Sequence, residues 1–185
     1  FHEMTLKNYE EDSVFKGTID AMLSYIKDNI DVDSIDLISG GERRDWFFSF
    51  LIADFLKKPH ITIFKDLDAV IYEKGESKPA QDLQGKKVLH IADLITTASS
   101  YERAWVPVIK RLQGFMEWSL VVVDRLQGGA EILKALNVAS YALVCIDENV
   151  FEKAEEQGYI DQEQLKMVKA YMKDSEGSMR MFLES

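Results

Sequence analysis

The sequence predicts an α/β protein, a parallel sheet with helices packed on both faces. Two observations carry that expectation. Short apolar runs of strand length alternate with segments of helical hydrophobic period, joined mostly by short connections. Three of those runs, SIDLI at 34–38, VLHIA at 88–92 and SLVVVD at 119–124, lead directly into turns rich in glycine, hydroxyls or charge. Open parallel sheets bind ligands beyond the carboxyl ends of their strands, so the coincidence points to one site built from three turns.

Taken in order, residues 1–12 read as polar and irregular, with Asp12 or Ser13 available to cap the first helix. Val14, Phe15, Ile19, Met22, Leu23, Ile26 and Ile30 recur at helical spacing and predict that amphipathic helix over 14–30. SIDLI is the first core strand, ending in SGGERRDW at 39–46. A helix over 45–58 carries Trp46, Phe47, Phe50, Leu51, Ala53 and Phe55, and Pro59 stops it. HITIFK at 60–65 is the second strand. The stretch 66–86 is rich in Gly, Pro, Ser and charge; it reads as a long functional or mobile connection, with Ala69–Tyr72 as a brief edge strand. After the strand at 88–92 come a helix over 100–112, the strand SLVVVD, the turn RLQGG, a helix over 130–136, the strand ASYALVCI and two C-terminal helices within 148–185. Asp161 with Gln164 forms a capping-box pattern for the last of these. The whole, 1–185, is expected to be one domain: 185 residues with 46% hydrophobic composition suffice for a sizeable core.

Composition excludes several classes. A net charge of −10 argues against nucleic acid as a general partner, since duplex binding draws on a basic face. A small anionic ligand responds to local charge and stays open. No apolar run reaches the length of a membrane span, so no membrane partner is expected. The one cysteine, Cys145, lies in an apolar run and is expected to be a buried strand residue; with no internal disulfide available, a cytoplasmic location follows naturally. No Cys/His cluster supports zinc and no P-loop pattern is present.

The chemistry concentrates at Val88–Ser100. Asp93 follows the strand, and Thr96, Thr97, Ser99 and Ser100 offer four hydroxyls before a helix, where backbone N–H groups and hydroxyls together suit a phosphate dianion. A simple helix cap needs only one such residue. In SGGERR, Gly40 and Gly41 let backbone N–H groups approach an anion, and Arg43 and Arg44 add charge-assisted donors; a glycine turn followed by solvated arginines is the plainer alternative. Arg125, after VVVD, suits a planar carboxylate by its bidentate fork, or pairs on the surface with Asp124 or Glu131. His90, within the strand, reads as packed, and Trp46, Trp105 and Trp118 as core or subunit contacts.

The run VLHIADLITTASS resembles the phosphoribosyl pyrophosphate signature of type I phosphoribosyltransferases: a hydrophobic strand, two adjacent acids, two apolar residues, then a Thr-Thr-Gly-Gly-Ser/Thr loop. The resemblance implies that Asp93 holds a ribose hydroxyl and that Thr96, Thr97, Ala98, Ser99 and Ser100 wrap the 5′-phosphate. Ala92 stands at the first acid position and Ala98 at a glycine. Ser39, Gly40 and Gly41 match the short loop that contacts pyrophosphate. VVVDRLQGG is similar to the strand and turn of orotate phosphoribosyltransferases, where an Arg contacts the carboxylated pyrimidine, so Arg125 takes that role by resemblance. Lys65 matches one cation of the basic loop that closes over the diphosphate, although DLDAVIYEKGESK replaces the rest of that basic run.

The resemblance spans 35–147. It implies a type I phosphoribosyltransferase fold, transfer of phosphoribosyl from phosphoribosyl pyrophosphate to orotate, Mg²⁺ carried mainly by the substrate with Asp93 as its nearest acid, a homodimer, and further N-terminal hood sequence ahead of Phe1. Asp93 and Lys65 are the catalytic candidates it implies. A transferase for another base, and a non-catalytic sensor of phosphoribosyl pyrophosphate or a nucleotide, are the competing expectations.

Overall fold

The structure, a computed structural model, describes residues 2–174. The chain divides into two units, Phe1–Cys145 and Ile146–Ser185. The first holds α1 (His2–Glu11), α2 (Ser13–Asn29), β1 (Leu37–Gly41), α3 (Trp46–Leu56), β2 (His60–Ile63), β3 (Ala69–Glu73), β4 (Glu76–Pro79), β5 (Lys87–Ile95), α4 (Val106–Arg111), β6 (Phe115–Asp124), α5 (Gly129–Ala135) and β7 (Ala139–Cys145). In the second, α6 (Glu148–Glu156) and α7 (Gln162–Lys173) are tied together by Lys169, which pairs with Glu148 and Glu152. The capping box at Asp161 and Gln164 is present at the start of α7.

All seven strands form one sheet in the order β4-β3-β2-β1-β5-β6-β7. β1, β2, β5, β6 and β7 are parallel, and β3 and β4 add an antiparallel edge. Each face carries its own core. On one, Ile19, Met22 and Ile26 of α2 and Leu51 and Ile52 of α3 cover Ile38, Leu89, Ile91 and Leu120. On the other, Val106, Val108 and Ile109 of α4 and Leu133 of α5 cover Leu37, Ile61, Val88 and Val121. Each fully buried aliphatic side chain contributes about 2 kcal/mol by leaving water, which is why the 3.6-residue period of α2 was readable in the sequence.

Burial also fixes the polar interior. His60 is enclosed in β2, with Nε2 2.8 Å from Ser49 Oγ and Nδ1 3.2 Å from Thr62 Oγ1, its ring stacked 3.9 Å from Phe50. Burial, reinforced by His90 nearby, pushes its pKa down to about 3, so the ring stays neutral.

Several expectations are corrected. Residues 2–11 are helical because Thr5 is buried, Leu6 packs on the core and the Tyr9 ring lies 5.0 Å from Phe55, with its hydroxyl on Asp20. Asp12 is the residue that caps α2, accepting from the Val14 and Phe15 N–H groups. In the stretch 66–86 the strand expected at Ala69–Tyr72 is present as β3, but it continues into β4 through a hairpin turn, Lys74-Gly75, with positive φ at both residues (52° and 82°). Cys145 is exposed, because β7 is the outer strand of the sheet. The first strand lies at 37–41 rather than 34–38, and β5 runs past Asp93 to Ile95.

Candidate functional site

From β1 the chain passes to β2 on one side, while β5 lies on the other, so strand order reverses between β1 and β5. At such a switch point the connections leave in opposite directions and open a crevice beyond the carboxyl ends. A cleft of about 260 Å³ lies there. Its walls are Glu42, Arg43, Arg44 and Asp45 after β1, and Ala92–Thr96 with Ala98, Ser99 and Ser100 at the end of β5, closed by Tyr101 and Trp105.

The loop at 96–100 has the shape its sequence suggests. Ala98 takes φ 56°, the left-handed region where the signature has glycine. A turn of π-helix, Tyr101–Trp105, comes next and leads into α4. Ser100 precedes that turn without making a capping bond. None of the hydroxyls of Thr96, Thr97, Ser99 and Ser100 makes a hydrogen bond among the described residues, so all four remain available to a ligand. Thr97 is exposed outside the cleft wall, whereas Thr96, Ser99 and Ser100 line it.

On the opposite wall, Glu42 donates its N–H to the Ile63 carbonyl and accepts the Lys65 N–H through Oε2. The Glu42–Arg43 peptide is cis. Arg43 is mostly exposed and lies 3.3 Å from Glu42; Arg44 Nε lies 3.0 Å from Asp93 Oδ2. Asp45 is buried, and its carboxylate accepts the N–H groups of Gly41 (3.1 Å) and Asp93 (3.2 Å), tying the ends of β1 and β5 together.

Asp93 is held above its ordinary carboxylate range. Burial raises it most, the Asp45 charge adds to this, and Arg44 opposes both. The folded state therefore keeps this proton to higher pH than the unfolded chain does, and the contribution of Asp93 to stability falls as pH rises through the window between the two values. Arg44→Gln removes the opposing cation. Asp93 then titrates higher still, read from its ¹³C carboxyl shift; an unchanged titration would contradict the ion pair.

The structure sorts the residues singled out in the sequence. Asp93, Thr96, Ala98, Ser99, Ser100, Arg43 and Arg44 converge on the cleft. Ser39, Gly40 and Gly41 do not form a loop: they lie inside β1, all buried. Ser39 Oγ is 2.8 Å from His90 Nδ1, and a Cβ on Gly40 or Gly41 would overlap Ser49 or the Trp105 ring. Those glycines serve close packing under the cleft. Lys65 and Arg125 are exposed and do not line it. Arg125 nonetheless follows β6 at the same end of the sheet, its N–H on the Ile95 carbonyl. Asp45 is not among the residues the sequence singles out, because it falls at the start of the helix expected over 45–58; here it precedes α3, makes no side-chain cap bond to it and turns to the strand ends instead.

A larger cleft of about 580 Å³ lies beside the amino end of β2, lined by Phe50, Lys58, His60 and Tyr72 among others. Its buried imidazole is fully bonded, and it lies away from the strands' carboxyl ends.

No protein-family profile matches the chain, and no curated protein matches it by sequence. Solved structures do. They show that the chain shares the fold of phosphoribosyltransferases of known structure. The chain is similar to the UMP synthase of Leishmania donovani (TM-score 0.67, 17% identity, 86% of this chain and 33% of that one), so it spans about one third of that protein. It is similar to the orotate phosphoribosyltransferase of Aeropyrum pernix (TM-score 0.61, 18% identity, 84% and 82%) and to the adenine phosphoribosyltransferase of Thermoanaerobacter pseudethanolicus (TM-score 0.59, 18% identity, 74% and 83%). Among the described residues no helix is long and apolar enough to cross a membrane.

Proposed function

We propose that the chain is a phosphoribosyltransferase, taking phosphoribosyl pyrophosphate and a nucleobase. The observation that carries this reading is the single cleft joining Asp93 to the unbonded hydroxyls of Thr96, Ser99 and Ser100 at the switch point of the sheet. In it the loop holds the 5′-phosphate and Asp93 accepts a ribose hydroxyl. Arg43 and Arg44 on the facing wall compensate diphosphate charge, Arg44 leaving Asp93 to do so. The bond from the anomeric carbon to the diphosphate oxygen breaks and the diphosphate leaves with the electron pair. A ring nitrogen of the base forms the new bond and gives its proton to solvent. The protein's share is positioning and charge compensation. Asp93 is the acid of this chain that would face a Mg²⁺ brought in on the substrate, and that ion would supply further charge compensation for the diphosphate.

Orotate is the acceptor we propose first, because Arg125 lies at the end of β6 beside β5 and offers a bidentate partner for a carboxylate. Arg125 is exposed, and the similar structures include both orotate and adenine enzymes. A second reading, a ligand sensor without turnover, draws on Ala92 and on the absence of Lys65 from the cleft wall. The test is turnover with phosphoribosyl pyrophosphate and Mg²⁺ against a panel of bases, with Asp93→Asn as control. Expected is orotate consumption that falls at least about 100-fold in the control. Consumption of another base moves the specificity away from Arg125, and binding without turnover of any base establishes the sensor.

A further inference from the structure

In the phosphoribosyl signature two adjacent acids follow the strand, and this chain has Ala92 in place of the first. Ala92 lies in the cleft wall with only a methyl group to offer. The fold brings another carboxylate to the same place from a different strand. Asp45 lines the cleft beside Asp93, the two side chains being 12% and 23% exposed, and its Oδ1 accepts the Asp93 N–H. The Asp45 charge is near enough to help hold the Asp93 carboxyl above its ordinary range.

Stapling the two strands leaves Asp45 with acceptor capacity to spare. Two backbone N–H groups occupy two of the roughly four acceptor positions of the Asp45 carboxylate. The two N–H groups sit on different oxygens, Gly41 on Oδ2 and Asp93 on Oδ1, a pairing that needs a carboxylate, and acceptor positions on both oxygens remain open. Behind Asp45 stands a further sign. His90 is fully buried, its Nδ1 lies 2.8 Å from Ser39 Oγ, and its Nε2 has no hydrogen-bond partner while lying 3.6 Å from Asp45 Oδ2. The Ser39 hydroxyl engages Nδ1, which leaves Nε2 on the side of Asp45. Trp105, stacked 6.2 Å from the His90 ring, and Tyr101, edge-on at 5.0 Å, hold that ring in place. Asp45 thus has the buried ring on one side and the cleft on the other, where its remaining acceptor positions meet whatever lies against Asp93.

We propose that Asp45 replaces the acid missing at Ala92, and that Asp45 and Asp93 together accept the two hydroxyls of the vicinal diol on a 5-phosphorylated ribose. The inference rests on the phosphoribosyl reading and adds to it a residue and a selectivity. The site prefers ribose over 2-deoxyribose, because removing one hydroxyl leaves a carboxylate of the pair without a donor.

Calorimetry with inorganic phosphate, ribose 5-phosphate and 2-deoxyribose 5-phosphate tests it, on wild type and Asp45→Asn. In wild type, ribose 5-phosphate binds at least about 10-fold tighter than the deoxy sugar. In Asp45→Asn that preference shrinks to under about 3-fold while inorganic phosphate binds unchanged, which also reports an intact loop. A second measurement needs no variant: in ¹³C-labelled wild type the Asp45 and Asp93 carboxyl signals both move with ribose 5-phosphate, and Asp45 stays still with inorganic phosphate. Wild type that binds none of the three overturns the phosphoribosyl reading itself. Wild type that binds ribose 5-phosphate with no preference over the deoxy sugar, or with a preference that survives in Asp45→Asn and an unmoved Asp45 signal, overturns the role of Asp45 alone.

Discussion

Gly41→Ala lowers the stability of the fold by about 3 kcal/mol, which for a chain of this size is roughly 6–12 °C in Tm. The added Cβ falls within the Trp105 indole, against its Cζ2, Cε2 and Cη2 atoms. Trp105 is buried, stacks on His90 and belongs to the core beneath α4, so it has nowhere to retreat. Gly41 also donates its backbone N–H to Asp45, so the damage reaches the cleft as well as the core. Gly17→Ala is the control. It lies in α2 with nothing within 4 Å of a new Cβ, and gains about 0.5–1 kcal/mol from lost chain entropy. Thermal unfolding of the two variants checks both; a loss below about 1 kcal/mol at position 41 would contradict the packing of Trp105 on β1.

The double substitution Ser99→Ala, Ser100→Ala reduces affinity for phosphoribosyl pyrophosphate at least about 100-fold, since each hydroxyl bonded to a phosphate oxygen contributes roughly 1.5–3 kcal/mol. Stability changes by less than about 0.5 kcal/mol per site, because both residues are exposed and neither caps the adjoining turn. This pairing of a large binding loss with a small stability loss separates a ligand loop from a structural one. Calorimetry and melting on the same sample read it. If affinity holds, the phosphate sits elsewhere.

The contrast between positions 41 and 99 also marks how far the sequence could be read. The periodic helices α2 and α3, the parallel order of β1, β2, β5, β6 and β7, and the hydroxyl loop were all legible, because burial and turn chemistry act on neighbouring residues. Strand ends were not. Gly40 and Gly41 looked like a turn, yet they continue β1 because Ser49 and Trp105, distant in sequence, require small residues there. Asp93 looked like a loop residue, yet the ladder to β6 runs on through Leu94–Val123 and Ile95–Asp124. The hairpin of β3 and β4 had a local signal, Lys74-Gly75, that the charge of the segment masked. α1 had a weaker one, since only Thr5, Leu6 and Tyr9 turn inward and their partners lie on other elements. Cys145 depended on whether another strand lay beyond β7, which no local pattern records. Asp45 is the clearest case of all. Its partners Gly41, Asp93 and His90 come from two strands, and only the assembled sheet brings them together.

Whether the cleft between Asp93 and Thr96–Ser100 holds a phosphorylated ribose is decided by mapping backbone amide shifts as phosphoribosyl pyrophosphate is added to the labelled protein. The largest changes are expected on residues 96–100, on Arg44 and Asp45, and on Asp93. Changes confined to the residues around Phe50, His60 and Tyr72, or no saturable change at all, would mean that the phosphorylated sugar does not bind at the switch point of the sheet.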